Sequence, residues 1–389
     1  MKKKKKILFV TTVSGTLTAF LLPLAEALKR EGWVVHAIAS DLSSNPDVAD
    51  VFDSFWDVPF SRQMSGAATG FIPNILRIRR ILEREEYTLI HTHTPFASFV
   101  VRLSAATISR ATRPKIIYTA HGLHFHPLGG RFANSLFLSA EKLAARWTDV
   151  LIVINQEDYE SALRKHIIDA AKIRRLPGIG VDSARFDPGR YDPELLAVKR
   201  HELDIADGDI VFVMIAEFIP RKRHKDAVRA VEMLARKNVR LLFAGEGQLK
   251  DPIEQEVAQR GLADQIRFLG VYRDVPKLML ISNAVLLPSI QEGLPRVLLE
   301  ALSMNIPIIA TDIRGTRELL SEGRGILVPA KDPERLAQAM AWVMDHADEA
   351  REIGARGRGA VLAKYDDRIV LARQMEIIEE ALGNSGGEC

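Results

Sequence analysis

Two carboxylates eight residues apart, Glu292 and Glu300, bracket a turn in the stretch Pro288-Ser289-Ile290-Gln291-Glu292-Gly293-Leu294-Pro295-Arg296-Val297-Leu298-Leu299-Glu300. The apolar run Ala284 to Leu287 reads as a buried parallel strand and Pro295 to Met304 as a helix, with Glu292 and Gly293 in the loop between them. Pro295 suits a first helical turn, where the amide it lacks would be unpaired anyway, and Gly293 lets the backbone approach a ligand. The amides at such a helix start face an anion. Eight residues are about two turns, roughly 12 Å along the axis, so the two carboxylates meet different parts of a ligand. Beside a diphosphate a carboxylate is repelled, so each Glu accepts hydrogen bonds from neutral hydroxyls on either side of it. Sugar, diphosphate and ribose have that layout. Two glutamates on an ordinary helix share the spacing, so the elements around them must decide.

A chain of 389 residues exceeds one typical core and implies two domains of about 150 to 200 residues each. Hydrophobic content of 47% with 26% charged residues excludes a largely disordered chain. The single cysteine, Cys389, excludes a disulfide framework and a cysteine metal site, and fits a reducing, cytoplasmic setting. Lys2 to Lys6 resemble the charged start of a signal peptide. Ile7 to Val10, however, is short and runs into Thr11, Thr12, Ser14 and Gly15. No stretch approaches the roughly 20 apolar residues of a spanning helix.

The net charge of +3 hides an asymmetry of about +8 for residues 1–190 against about −5 for the rest. Lys2 to Lys6, Arg77, Arg79, Arg80, Arg102, Lys115 and Arg174 contribute to a basic half suited to an anionic membrane surface. No nucleic-acid motif accompanies this charge.

Along the chain, Ile7 to Thr11 predicts a strand, Thr12 to Thr16 a glycine turn, Leu17 to Arg30 a helix and Trp33 to Ala39 the next strand. One glycine in that turn is too few for a dinucleotide fingerprint. Strands at Thr88–His91, Lys115–Thr119 and Asp149–Ile154 alternate with helices, as in a parallel sheet covered on both faces. The turn cluster from Pro177 to Gly189 places a domain boundary near residue 188. The pattern restarts with strands at Ile210–Ala216, Val239–Phe243, Ile266–Leu269, Ala284–Leu287, Pro307–Ala310 and Gly325–Val328. A helix over 366–384 has no strand after it and is expected to pack back on the first domain, leaving 189–365 as the second. The expected architecture is two doubly wound Rossmann-like α/β domains facing across a cleft.

Glu292-Gly293-Leu294-Pro295 with Glu300 at the eighth position resembles the paired-Glu motif of the retaining glycosyltransferases of family 4, which have the GT-B fold. His121-Gly122, Pro177-Gly178-Ile179-Gly180-Val181-Asp182, Gly245-Glu246-Gly247 and Phe268-Leu269-Gly270 match its other signatures in order. The resemblance covers essentially the whole chain. The segments Thr92 to Pro95, Thr119 to His126, and Glu141-Lys142-Leu143 to Val153-Ile154-Asn155 are most similar to bacterial capsule, exopolysaccharide and lipid-linked glycan transferases.

The resemblance implies a nucleotide-sugar donor, expected to be UDP-linked, and a lipid-linked saccharide acceptor. The enzyme would work in the cytoplasm, peripherally at the inner face of the cell membrane, and retain anomeric configuration. It implies that Glu300 binds ribose hydroxyls, Glu292 the hydroxyls of the transferred sugar, and Gly293, Leu294, Arg296 and Val297 the diphosphate. Gly245, Gly270 and Val271 fall near the nucleotide, and Gly15 faces diphosphate and sugar. His121 positions the sugar and stabilises developing charge, while His93, His124 and His126 line the acceptor side. The family supplies an Arg and a Lys after the first strand of its second domain. Lys222 fits the Lys, but Glu217 stands where the Arg belongs, so Arg221 or Arg223 is expected to replace it.

Other chemistries compete. Five of the ten histidines lie between His91 and His126, which raises a zinc site, although no carboxylate or thiol nearby completes a ligand set. Asp207-Gly208-Asp209 superficially matches a metal motif of another transferase fold but reads as a turn before a strand. No metal or cofactor is expected. Arg324 and the helix Asp312 to Glu318 read as structural. A nucleotide-sugar epimerase shares the two-domain architecture, and a non-catalytic sugar-nucleotide-binding subunit would share the site.

Overall fold

The computed structural model describes residues 4–60, 64–125 and 130–383. It divides into two compact units, one running to Pro177 and resuming at Val370, the other spanning Gly178–Ile369. The crossing thus falls at the start of the turn cluster, and the turn Pro188–Arg190 lies inside the second unit.

The described residues of the first unit form a parallel sheet of seven strands: β1 (Lys6–Val13), β2 (Val34–Ser40), β3 (Ser54–Asp57), β4 (Leu89–His93), β5 (Lys115–Ala120), β6 (Val150–Val153) and β7 (Ile173–Arg175). Their order is β3-β2-β1-β4-β5-β6-β7. Strands such as Ile7–Val10 are apolar without a break because helices bury both faces. On one face lie Leu17, Leu21, Leu24 and Leu28, with Val370, Ile377 and Ile378 from the helix Asp367–Ala381. That helix completes this core, and Arg174 Nε lies 2.6 Å from Glu380 Oε2 at its edge. On the other face the helices Met64–Glu85, Pro95–Ala106 and Arg131–Ala144 pack side by side.

Two strands escape sequence reading. β3 is short and half-buried, and β7 is a three-residue edge strand, so neither has the apolar run that marks the others. The turn expected around Gly15 is also absent. Thr11 and Thr12 extend β1 to Val13, and a helix starts directly at Ser14, so Gly15 is a helical residue. A side chain built at Gly15 meets nothing within 4 Å. Arg102 leaves the basic surface: it is buried, its guanidinium lies over the Tyr118 ring at 4.2 Å, and it pairs with Glu141 at 3.0 Å.

The second unit's described residues form a parallel sheet of six strands: β8 (Ile210–Ile215), β9 (Val239–Ala244), β10 (Ile266–Phe268), β11 (Ala284–Leu287), β12 (Ile308–Thr311) and β13 (Ile326–Val328). They are ordered β10-β9-β8-β11-β12-β13. The helix expected over Asp312–Glu318 forms later, at Thr316–Leu320, because Gly315 adopts a positive φ and delays it. In both sheets the chain winds outward from one central strand, then returns to that strand's other side. The reversals lie between β1 and β4 and between β8 and β11, and the carboxyl ends at such a reversal are where sheets of this kind bind ligands.

Candidate active site

At the second unit's reversal, the loop after β8 carries Arg221 and Lys222 and the loop after β11 carries Glu292. Lys222 Nζ lies 2.6 Å from Glu292 Oε1, and Arg221 Nη1 lies 3.3 Å from Oε2. The two loops are also tied through their backbones, since Ile290 N donates to Arg221 O at 2.9 Å and Arg221 Nη1 to Gln291 O at 3.0 Å. Glu292 is buried, which by itself raises the pKa of a carboxylate; the charges of Lys222 and Arg221 outweigh that and hold it below its ordinary value. Two cations thus converge on one buried anion. Arg223 is committed elsewhere, with its guanidinium 2.8 and 2.6 Å from the buried Asp226 carboxylate. Of the two arginines named as substitutes for the missing family Arg, Arg221 is therefore the one that shares a carboxylate with Lys222.

The helix that follows, Arg296–Ser303, starts from Pro295, and no side chain caps it. A helix start of this kind is where backbone amides can turn toward an anion. Leu294 is buried, and Val297 occupies the first helical turn. Glu300 sits one turn beyond Arg296, whose Nε is 3.1 Å from Oε1. Burial raises the Glu300 pKa to about 7, against the opposing pull of Arg296 and Arg185. The two glutamates thus differ in kind: Glu292 is a fixed anion and Glu300 titrates near neutrality.

Glycines bring the loops together. Gly245 has φ +148° and donates to Gly270 O at 2.7 Å; a Cβ there would stand 2.1 Å from the Ala216 carbonyl oxygen. Gly315 has φ +78°, and a Cβ would stand 2.1 Å from the Gly293 carbonyl oxygen. Only glycine fits either position. Val271, after Gly270, is exposed, and so is Glu217 at the end of β8.

Gly315 and its neighbour Arg314, whose Nε donates to Glu292 O at 3.3 Å, were not singled out from the sequence. A glycine directly after a strand-to-helix turn was the signal available. Arg324 hydrogen-bonds the Ser321 carbonyl and hydroxyl at 2.9 and 3.0 Å, closing a turn. Asp209 accepts from Ala206 N at 2.9 Å and pairs with Arg240 at 3.1 Å, so the Asp-Gly-Asp stretch is a braced turn.

In the first unit, His91, His93 and His121 form a stack at the carboxyl ends of β4 and β5. Ring centroids are 4.2 Å apart for His91 and His93 and 5.2 Å for His93 and His121. His91 Nε2 lies 2.8 Å from Thr119 Oγ1, and His93 Nδ1 lies 3.0 Å from His121 Nε2. Burial depresses all three imidazoles, His91 to about 3 and His121 to about 4, so they stay neutral. His124 is exposed, with its ring 5.4 Å from Phe137. His126 lies outside the described residues. Among the described residues no group of three or more His, Cys, Asp or Glu is placed to hold a metal ion.

The second unit's parallel sheet thus brings a cation pair, a buried carboxylate and a helix start together at its reversal point. Residues 197–360 match the glycosyl transferases group 1 profile, and residues 18–185 match Glycosyltransferase Family 4. The chain is 31% identical over 376 residues, 94% of each protein, to the putative glycosyltransferase EpsD of Bacillus subtilis strain 168. It is 26% identical, over 70% of each, to the Escherichia coli UDP-Gal:alpha-D-GlcNAc-diphosphoundecaprenol alpha-1,3-galactosyltransferase. The structure of Anabaena HepE in complex with UDP-glucose superposes with a TM-score of 0.80 at 18% identity, covering 96% of this chain and 99% of that one. The chain belongs to the family 4 glycosyltransferases and has the GT-B fold.

Proposed function

We propose that this glycosyltransferase moves a hexose or N-acetylhexosamine from a UDP-sugar to a hydroxyl of a lipid-linked saccharide, retaining the anomeric configuration, in bacterial surface glycan assembly. The observation that carries the reading is the convergence of Lys222 and Arg221 on Glu292, beside the helix start at Arg296. When a donor enters, the two cations and the helix amides take the diphosphate, Glu292 takes the sugar hydroxyls and Glu300 the ribose. His121 contacts the transferred sugar. Lys222 and Arg221 then stabilise the departing diphosphate, which accepts the proton of the attacking hydroxyl on the same face. Charge compensation comes from side chains, so the reading asks for no metal.

The nucleotide and acceptor class rest on relatives. The Escherichia coli relative is named for UDP-Gal and a diphosphoundecaprenol-linked sugar, and the HepE structure contains UDP-glucose. Among the described residues no helix is long and apolar enough to cross a membrane. The surface that would meet the lipid is on the first unit, where Ile72, Leu76, Phe132 and Leu136 are exposed on helices that also carry exposed Arg77, Arg80 and Arg131. This reading places the enzyme in the cytoplasm, at the inner face of the cell membrane.

The test is to incubate the chain, with chelator present, with UDP-sugars and polyprenyl-diphosphate-linked acceptors and to follow products by mass spectrometry, then assign the linkage by NMR. An acceptor heavier by one hexose or N-acetylhexosamine, α-linked from an α-donor, is expected. Conversion of UDP-sugar without acceptor would replace transfer with epimerisation. Loss of binding to anionic vesicles at high salt is expected of the basic apolar face.

A further inference from the structure

The histidine stack holds more hydrogen-bonding atoms than it has partners, and that imbalance fixes where a proton sits. β4 and β5 are parallel neighbours, with His91 beside Ile117 and His93 beside Thr119. Side chains alternate across a strand, so His91 and His93 project to one face, where Phe9 lies 5.6 and 6.5 Å from their rings. His121 follows two residues after Thr119, with Phe20 at 6.0 Å on its other side. His91 and His93 are almost wholly buried and His121 is partly exposed.

A neutral imidazole carries one proton on one of its two nitrogens. His93 Nδ1 and His121 Nε2 are 3.0 Å apart, so one donates to the other. His93 Nε2 is buried with no hydrogen-bond partner among the described residues. If His121 were the donor, His93 would carry its own proton on Nε2, as an N–H enclosed without an acceptor. If His93 Nδ1 donates, Nε2 is left as a bare lone pair. A buried orphan N–H is the rarer and costlier of the two. The proton therefore belongs on His93 Nδ1, and His121 Nε2 accepts. A ring nitrogen engaged as acceptor sends the proton to the other nitrogen.

We propose that His93 is a positioning residue that holds His121 as its Nδ1–H tautomer, so that His121 offers a ligand a hydrogen-bond donor instead of a lone pair. The consequence for specificity rests on the reading of His121 as a sugar contact: an N–H selects an acceptor oxygen, such as a hydroxyl or an N-acetyl carbonyl. His93 itself then lies behind His121 and does not line the acceptor side.

The experiment is a two-bond proton–nitrogen correlation spectrum of the full chain carrying 15N-histidine, recorded near pH 7.5 without ligand. The His121 signals are assigned by their loss in His121→Gln. The wild type is expected to show His121 protonated at Nδ1, and His93→Asn, whose amide can donate in the same direction, to keep that state. In His93→Leu the His121 ring should shift toward Nε2–H. An Nε2–H His121 in the wild type, or an unchanged Nδ1–H in His93→Leu, would overturn the proposal. If His93→Leu does not fold, the wild-type and His93→Asn spectra decide. In donor turnover, His93→Leu should lower kcat about tenfold or more with donor KM within about twofold, and His93→Asn should recover part of it. Equal losses in both variants would reduce His93 to packing. Failure to find any turnover would overturn the transferase reading alone, since the spectrum is read without substrate.

Discussion

Lys222 Nζ and Glu292 Oε1 stand 2.6 Å apart, which means that the cation assigned to the donor's diphosphate is held by the carboxylate assigned to its sugar. On the proposed roles, each releases the other when a donor arrives. Glu292→Gln should free Lys222 and Arg221, so UDP alone should bind several-fold tighter to the variant while sugar transfer falls about a hundredfold or more. Titration calorimetry with UDP, beside a turnover assay, reads both. Weaker UDP binding in Glu292→Gln would mean that the pair does not restrain the cations.

With Glu300 on the donor's ribose, as proposed, donor binding should depend on pH. Its pKa of about 7 means that it is mostly protonated at pH 6 and mostly a carboxylate at pH 8. If only the carboxylate accepts the ribose hydroxyls, affinity should rise about tenfold from pH 6 to pH 8 and a proton should be released on binding. Glu300→Gln should bind more weakly and lose the pH dependence. Stability has its own sign. The folded pKa lies above the ordinary 4.5, so Glu300 opposes folding increasingly as pH rises from about 4.5 through 7. Replacing it by Gln should therefore stabilise the protein more at pH 8 than at pH 5, by up to about 3 kcal/mol in urea melts.

Gly315→Ala should lower stability by about 1–3 kcal/mol and weaken donor binding, because its Cβ would collide with the Gly293 carbonyl oxygen. Gly15→Ala is the contrasting case. Its helical position is open, and the substitution should raise stability by about 0.5–1 kcal/mol. Denaturant midpoints of the two variants compare the effects directly. A destabilised Gly15→Ala would show that this position is more crowded than its surroundings indicate.

The histidine stack should make the protein sensitive to acid. His91 and His121 have pKa values of about 3 and 4 because burial penalises their charged forms, whereas an unfolded histidine titrates near 6.5. The unfolded chain therefore takes up protons first, and stability should fall as pH drops from about 6.5 toward 4. His91→Gln should flatten that slope in thermal melts taken between pH 7 and pH 4.5. Parallel slopes for variant and wild type would show that other groups control acid unfolding.

The sequence revealed elements wherever a long apolar run met a turn signal. Ala284–Leu287 matches β11 end to end because that strand is buried on all sides and bounded by Asn283 and Pro288. β3 and β7 were hidden because a short or half-buried strand leaves no run to read. In the site, the spacing of Glu292 and Glu300 was legible because both lie on a single helix approach. That Lys222 and Arg221 are engaged by Glu292 was not, since about 70 residues separate the partners and only the neighbouring of β8 and β11 brings them together. Gly15 misled for a local reason. A glycine after a strand signals a turn, but β-branched Thr11 and Thr12 carried the strand on and the helix began at once.

The helix Asp367–Ala381 gives the order of synthesis a physical meaning. Val370, Ile377 and Ile378 are part of the same core as Leu17, Leu21 and Leu24, yet residues 178–369 must leave the ribosome before they do. The unit that is translated first is therefore the one that finishes folding last. Until then the core that Val370, Ile377 and Ile378 complete stays open on that side, and the second unit, whose strands are contiguous in sequence, can close first.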